Sequence, residues 1–128
     1  MAAQFDAVGI VVRDIDAALD FYRLLGLNLP ANSGGEDHVE ATLPNGMRVM
    51  FDSEKLMRDI DENWIEPVGQ RVALAFRCES PADVDAVCQS IINAGYRCER
   101  EPHDAFWGQR YARVIDPDNN TVDLYCDL

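Results

Sequence analysis

The stretch DAFWGQRYARVIDPDNNTVDLYCDL, residues 104 to 128, gathers most of the side chains in this chain that could hold or transform a small molecule. Asp123 stands among apolar neighbours on an alternating segment. A carboxylate in such a setting needs a charged or hydrogen-bonding partner. It therefore reads as an acceptor or counter-charge for a ligand amine, as the proton-transfer group of an enzyme, or as an ordinary hydrogen-bonded strand carboxylate. Phe106 and Trp107 precede a glycine; they either plug the end of a cleft or offer a stacking platform for a flat ligand. Alternation along QRYAR puts Tyr111 with Arg113 and Arg110 with Ala112, but leaves open which pair faces a ligand. Arginine binds carboxylates and stacks on rings, and on an acidic protein it also pairs with surface acids. Trp64, outside this stretch, reads as a lid or a dimer contact.

Other chemistries find little support. There are two histidines, His38 and His103, and no Ser-His-Asp or Cys-His set can be assembled around them. No glycine-rich phosphate loop is present. The four cysteines, Cys78, Cys88, Cys98 and Cys126, contain no C-x-x-C pair and read as small buried apolar residues in a reducing compartment. A net charge of −12 repels a phosphate backbone and anionic lipid, so neither nucleic acid nor membrane is an expected partner. The same charge would attract a cation. No apolar run is long enough for a membrane helix, and no secretory signal is visible, so a cytoplasmic location is the default expectation.

The elements that must position these residues come in a repeated order. FDAVGIVV (5–12) predicts a strand, and RDIDAALDFYRLLGL a helix with Asp14 as N-cap and Gly26 as stop. Its apolar stripe is Ile15, Ala18, Leu19, Tyr22 and Leu25. Three strands are expected next, in LNLPA, HVEATLP and GMRVMFD, with PNG (44–46) turning the last hairpin. Residues 53–68 read as an acidic linker with a short helix near Lys55–Asp61. QRVALAFRC predicts a strand again, and SPADVDAVCQSIINAG a helix capped by Ser80 with Pro81 at its first position. Its apolar face is Val84, Val87, Cys88 and Ile91. Strands over 96–101, 109–115 and 121–126 follow, the last two joined by DPDNN with an asparagine suited to left-handed backbone.

The shared order is β-α-β-β-β, twice. One domain, 1–128, is expected, made of modules 1–52 and 69–128 joined by the linker 53–68. The fold class is α+β: two βαβββ modules in a curved eight-stranded mixed sheet, with helices outside and a concave cleft for a ligand. Laying AVGIVV (7–12) on ALAFRC (73–78), and LPNGMRVMF (43–51) on DPDNNTVDLY (116–125) with one extra residue in the second turn, aligns the halves.

FDAVGIVVRDIDAALDFYRLLGL, VALAFRCESPADVDAVCQSIINAGY and the closing DPDNNTVDLY together resemble the vicinal oxygen chelate superfamily. That superfamily includes glyoxalase I, extradiol dioxygenases, fosfomycin resistance enzymes and bleomycin-resistance binding proteins. Asn119 stands where the family's closing pattern has glycine. The resemblance covers nearly the whole chain. It implies that an enzyme of the family would hold a divalent metal on one His, Glu or Gln from each of four strands. Carried onto this chain, those positions are Ala7, Val49, Ala73 and Asp123. Three of them have no donor atom, and catalytic metal sites usually supply about three protein ligands. Asp6 and Asp52, one residue out of register, would point away from the cleft.

The expectation is therefore a metal-independent binding protein, closest in type to the metal-free bleomycin-resistance proteins, with no metal and no cofactor. Its pocket would be lined by Ala7, Met47, Val49, Phe51, Trp64, Ala73, Phe106, Trp107, Tyr111, Thr121, Asp123 and Tyr125. The ligand would be partly aromatic, and a cation would suit the charge. The resemblance also implies a homodimer and a role in antibiotic resistance. The alternative is an enzyme of the same superfamily: a metal-free isomerase or lyase using Asp123, or a lyase or dioxygenase with non-standard ligands such as His103 with Asp123.

Overall fold

A computed structural model describes residues 2–128. The described residues run β1 (Ala7–Val12), α1 (Ile15–Leu24), β2 (His38–Thr42), β3 (Arg48–Ser53), α2 (Glu54–Ile60), β4 (Leu74–Arg77), α3 (Pro81–Asn93), β5 (Arg97–Asp104), β6 (Gln109–Ile115) and β7 (Thr121–Asp127). The chain divides into two compact units, 1–66 and 67–128. Each has a mixed sheet, ordered β1-β3-β2 in the first unit and β4-β7-β6-β5 in the second.

Among the described residues there are seven strands in two sheets, where the sequence predicts eight in one. The missing strand is LNLPA. Its backbone is spent on the end of α1: Leu27 N–H donates to the Tyr22 carbonyl, and the Pro30 carbonyl accepts from Arg23 Nη1 at 2.7 Å. Pro30 itself has no N–H to give a ladder.

The helices start where the caps place them. The Asp14 carboxylate accepts from Ala17 N–H at 3.2 Å, and the Ser80 hydroxyl from Asp83 N–H at 3.2 Å. These bonds satisfy donors that a helix's first turn leaves unpaired. α1 buries Ile15, Ala18, Leu19, Phe21 and Tyr22; Phe21, fully buried, was not in the expected stripe, and Leu25 is only half-buried. α3 buries Val84, Cys88 and Ile91. Cys88 Sγ touches Cys98 Sγ at 3.3 Å, and burial, then that contact, push the Cys88 thiol up to about 12. Cys88 and Cys126 are buried, as expected of apolar fillers, whereas Cys78 and Cys98 are half-buried.

The β2–β3 and β6–β7 hairpin turns close in the same way. Leu43 N–H donates to the Met47 carbonyl, and Asp116 N–H to the Asn120 carbonyl. In the first turn Gly46 takes φ 88°; in the second Asn119 takes φ 67°, the left-handed conformation foreseen for an asparagine there. The Asp116 carboxylate, buried in the turn, accepts from Asp118 N–H, Asn120 N–H and Asn120 Nδ2.

Equal turns have a consequence for register. The sequence overlay allowed one extra residue in the second turn, which matched Val49 to Asp123. With turns of equal span, Met47 corresponds to Asn120 and Met50 to Asp123. The ladder agrees: β1 pairs with β3 as Ala7 with Arg48 and Gly9 with Met50. A Cβ built on Gly9 would stand 3.7 Å from Met50 Cε. Ala7, Arg48, Met50 and Asp52 therefore share one face. Val49 and Phe51 occupy the other, under α1, where Phe51 is fully buried with its ring centroid 5.2 Å from that of Tyr22. The expected positions of Val49 and Phe51 on the ligand face, and of Asp52 away from it, are both reversed.

Candidate functional site

In the second unit, α3 lies on the face of the sheet that carries Ala112, Val114, Val122 and Leu124, all fully buried. Arg110 is on this face too. It pairs with Asp85 of α3 at 3.0 Å and with Asp104 at 3.2 Å, so it fastens the helix to the sheet. Alternation then puts Tyr111, Arg113, Asp123 and Tyr125 on the opposite, open face. The sequence left the choice between the Arg110 and Arg113 sets undecided; α3 decides it.

At the centre of the open face are three polar groups from two neighbouring strands. Arg113 and Asp123 are register partners on β6 and β7, as are Tyr111 and Tyr125. Asp123 Oδ1 accepts from the Tyr111 hydroxyl at 2.7 Å and from Arg113 Nε at 2.9 Å. Oδ2 accepts from no donor among the described residues. The Arg113 guanidinium also approaches Glu99 Oε1 at 3.9 Å and lies 5.9 Å from the Tyr111 ring centroid. The hydrogen bond to Asp123 raises the Arg113 pKa, while burial first and the bond to Asp123 second raise that of Tyr111. Both donors stay protonated at neutral pH, and Asp123's charge is matched within the chain.

Next to this triad runs a line of aromatic edges. His103 meets Tyr111 edge-on at 5.7 Å between centroids, Trp107 meets Tyr111 at 5.4 Å, and Phe106 meets Trp107 at 4.9 Å. Gly108, at φ 89°, lets the chain turn between β5 and β6 and presents Phe106 and Trp107 at the tip. Trp107 Nε1 donates to Gln109 Oε1 at 2.8 Å, and Gln109 Nε2 donates to Asp127. This anchors the indole by its edge. Trp107 remains 51% exposed and Phe106 97% exposed, so their ring surface is available to a ligand.

β4 completes the face. Ala75 is level with Asp123 and Arg77 with Tyr125. Leu74 and Phe76 alternate to the α3 side, leaving Ala75 and Arg77 exposed. Ala73 precedes β4 and has their parity.

In the first unit the face that carries Ala7 holds a polar chain that the sequence did not reveal. Arg48 donates to Asp6 Oδ2 at 2.6 Å and to both Glu40 oxygens at 3.2 Å. His38 Nε2 contacts Glu40 Oε2 at 2.9 Å, and Nδ1 contacts Asp52 Oδ1 at 2.5 Å. With a carboxylate on each ring nitrogen, both nitrogens donate, which requires imidazolium. The bond to Asp52, then that to Glu40, raises the His38 pKa above 6.5. The folded chain therefore keeps this proton to higher pH than the unfolded chain does. The associated stability is complete below about pH 6.5 and is lost as pH rises through the folded-state pKa. His38 is 43% exposed, so screening keeps this contribution below about 1 kcal/mol. An NMR titration should show His38 ionising above the unfolded value, and His38→Gln should flatten stability against pH in that window. A His38 midpoint at or below 6.5 would contradict the arrangement.

Of the predicted pocket residues, Phe106, Trp107, Tyr111, Asp123 and Tyr125 come together in the second unit. Thr121 lies on the same face, but its hydroxyl and N–H are bound to Gln70 Oε1 at 2.7 and 2.8 Å. In the first unit, Ala7 is on the open face and Met47 sits in the hairpin turn. Trp64 follows α2, with the Arg58 guanidinium 4.9 Å over its ring. The residues missed were Arg77, Met50 and the His38 chain. Counting both turns as equal would have found Met50; nothing in the sequence alone pairs His38 with Asp52.

The donor set argues against a divalent metal. By structural equivalence the family's four positions are Ala7, Met50, Ala73 and Asp123: two methyl groups, a soft thioether and one carboxylate already carrying two donors. No group of three or more His, Cys, Asp or Glu side chains among the described residues is placed to hold an ion. Tyr111 meets the His103 ring edge-on and donates its hydroxyl to Asp123, an arrangement that does not favour His103 and Asp123 as a ligand pair.

A family model described as Glyoxalase/Bleomycin resistance protein/Dioxygenase superfamily matches residues 4–124. A Bacillus subtilis (strain 168) protein described as uncharacterized protein YraH is 28% identical over 124 residues, spanning 92% of this chain and 94% of its own. Among solved structures, a glyoxalase-related enzyme from Fulvimarina pelagi matches with TM-score 0.83 at 16% identity, over 98% of this chain and 89% of that one. A glyoxalase/bleomycin resistance protein/dioxygenase family enzyme from Burkholderia phytofirmans PsJN matches with TM-score 0.79 at 22% identity, over 98% and 100%. At such identities these likenesses establish the fold alone. Among the described residues, no helix is long and apolar enough to cross a membrane.

Proposed function

Since the chain belongs to the Glyoxalase/Bleomycin resistance protein/Dioxygenase superfamily, whose fold serves both catalysts and binders, we propose that it is a metal-independent binding protein for a flat, partly aromatic small molecule. The observation that carries this is the line of exposed aromatic edges, Phe106, Trp107 and Tyr111, beside a polar triad on an uncovered sheet face. Offset or edge contacts between rings contribute about 0.5–1.5 kcal/mol each beyond the area they bury. That suits recognition of a flat ring without demanding one substituent pattern. The expectation of a cationic ligand rested on the net charge and, at the site itself, on Asp123 as an unmatched carboxylate. Arg113 supplies the matching charge, so the support at the site is gone.

The test is Trp107 fluorescence in a Trp64→Phe background, titrated with planar aromatic compounds before and after EDTA. Quenching should saturate and be indifferent to the chelator. Absence of quenching by every compound, or quenching that requires a divalent ion, would remove the proposal. The alternative is a metal-free isomerase or lyase in which Asp123 moves a proton. Oδ2, the oxygen without a donor among the described residues, is the atom such a reaction would use.

A further inference from the structure

The chain carries 23 acidic and 11 basic side chains, so a base without an acid beside it is unusual here. Among the described residues, Arg71, Arg77, Arg97 and Arg100 have no carboxylate within ion-pair distance, and all four are in the second unit. Arg77 projects from the open face level with Tyr125. Arg100, on β5, is the register partner of Arg113. Around Tyr125 the bases Arg77, Arg100 and Arg113 stand against the acids Asp123, Asp127 and Glu99, so the face is close to balanced in a strongly acidic protein, and Arg77 is the base level with Tyr125 that has no acid beside it.

From this juxtaposition, and resting on the binder reading above, we infer that the open face of the second unit takes an aromatic carboxylate. The ring lies over Tyr125, and the carboxylate meets Arg77. Tyr125 is flanked on one side by Arg77 of β4 and on the other by Tyr111 of β6. Neighbouring strands are about 4.8 Å apart, so a bicyclic ring spans Tyr125 and reaches both neighbours. Ala75, level with Asp123, leaves room on the β4 side of the triad. Arg113 is held by Asp123 and approached by Glu99; it orients the triad, while Arg77 keeps its full donor fork. A guanidinium fork matches a carboxylate in two parallel bonds, which a neutral amide cannot reproduce.

The probes are naphthoate, its neutral isostere naphthamide, and the cationic naphthylmethylammonium, measured by calorimetry on the wild type and Arg77→Gln. Arg77 is exposed, so the variant keeps its fold. Naphthoate should bind about tenfold tighter than naphthamide, a discrimination equal to one charge-assisted bond, and the ammonium weakest. In Arg77→Gln the two should bind alike, at the naphthamide level. High salt should shrink the wild-type discrimination. If naphthamide or the ammonium binds as tightly as naphthoate, the binder reading survives and this inference falls. If the preference for naphthoate persists in Arg77→Gln, the assignment to Arg77 falls. If none of the three binds, the binder reading fails and this inference with it.

Discussion

Phe51→Ala should destabilise the protein by about 3–5 kcal/mol, the usual cost of removing a fully buried phenylalanine. The ring has no exposed surface and packs against Tyr22 of α1. Truncation leaves a cavity between helix and sheet that the backbone can close only in part. Natural domains hold about 5–15 kcal/mol in total, so the variant should sit near the edge of folding. Urea denaturation would show a lower midpoint with an unchanged slope. Met50→Ala, one residue away on the open face, should cost less than about 1 kcal/mol. The two together test the register: a mild Phe51→Ala with a severe Met50→Ala would mean that β3 faces the other way.

Asp123 gives the second large effect, and its direction depends on the function. Asp123→Ala should cost about 1–3 kcal/mol, because the Tyr111 hydroxyl and Arg113 Nε lose their shared acceptor. The lower half of that range applies, since Arg113 is 37% exposed and water can replace the lost partner. Asp123→Asn keeps an acceptor oxygen but removes the charge. Arg113 then keeps only the more distant Glu99, at 3.9 Å, as a matching acid, and naphthoate should bind at least about threefold tighter. Calorimetry reads this directly. Weaker naphthoate binding in Asp123→Asn would contradict the charge argument. A catalytic activity abolished by the same change would identify Asp123 as the proton-transfer group and favour the enzyme.

Asp123 also illustrates how the net charge misleads. The composition points to a cationic ligand, since the chain carries an excess of acids. That excess is a property of the whole surface. A binding site responds to the few charges within a Debye length, about 8–10 Å, and around Tyr125 the bases Arg77 and Arg113 stand with the acids Asp123, Asp127 and Glu99. Local pairing decides the sign, and pairing is a tertiary fact.

Short-range chemistry was legible in the chain. The caps Asp14 and Ser80, the left-handed turn at Asn119, the repeated module order and the missing donors at Ala7 and Ala73 depend on residues close in sequence, or on the residue itself. Parity along a single strand was legible too, which is why Tyr111 was correctly joined to Arg113. What the chain could not reveal was which residue of one strand stands level with which residue of another. One miscounted turn residue moved Val49 and Phe51 to the wrong face and hid Met50, since strand side chains alternate with period two. The loss of the LNLPA strand, the side taken by α3, and the meeting of His38 with Asp52 have the same origin. Hydrogen bonds and packing between segments distant in sequence chose them, and only the folded chain brings those segments together.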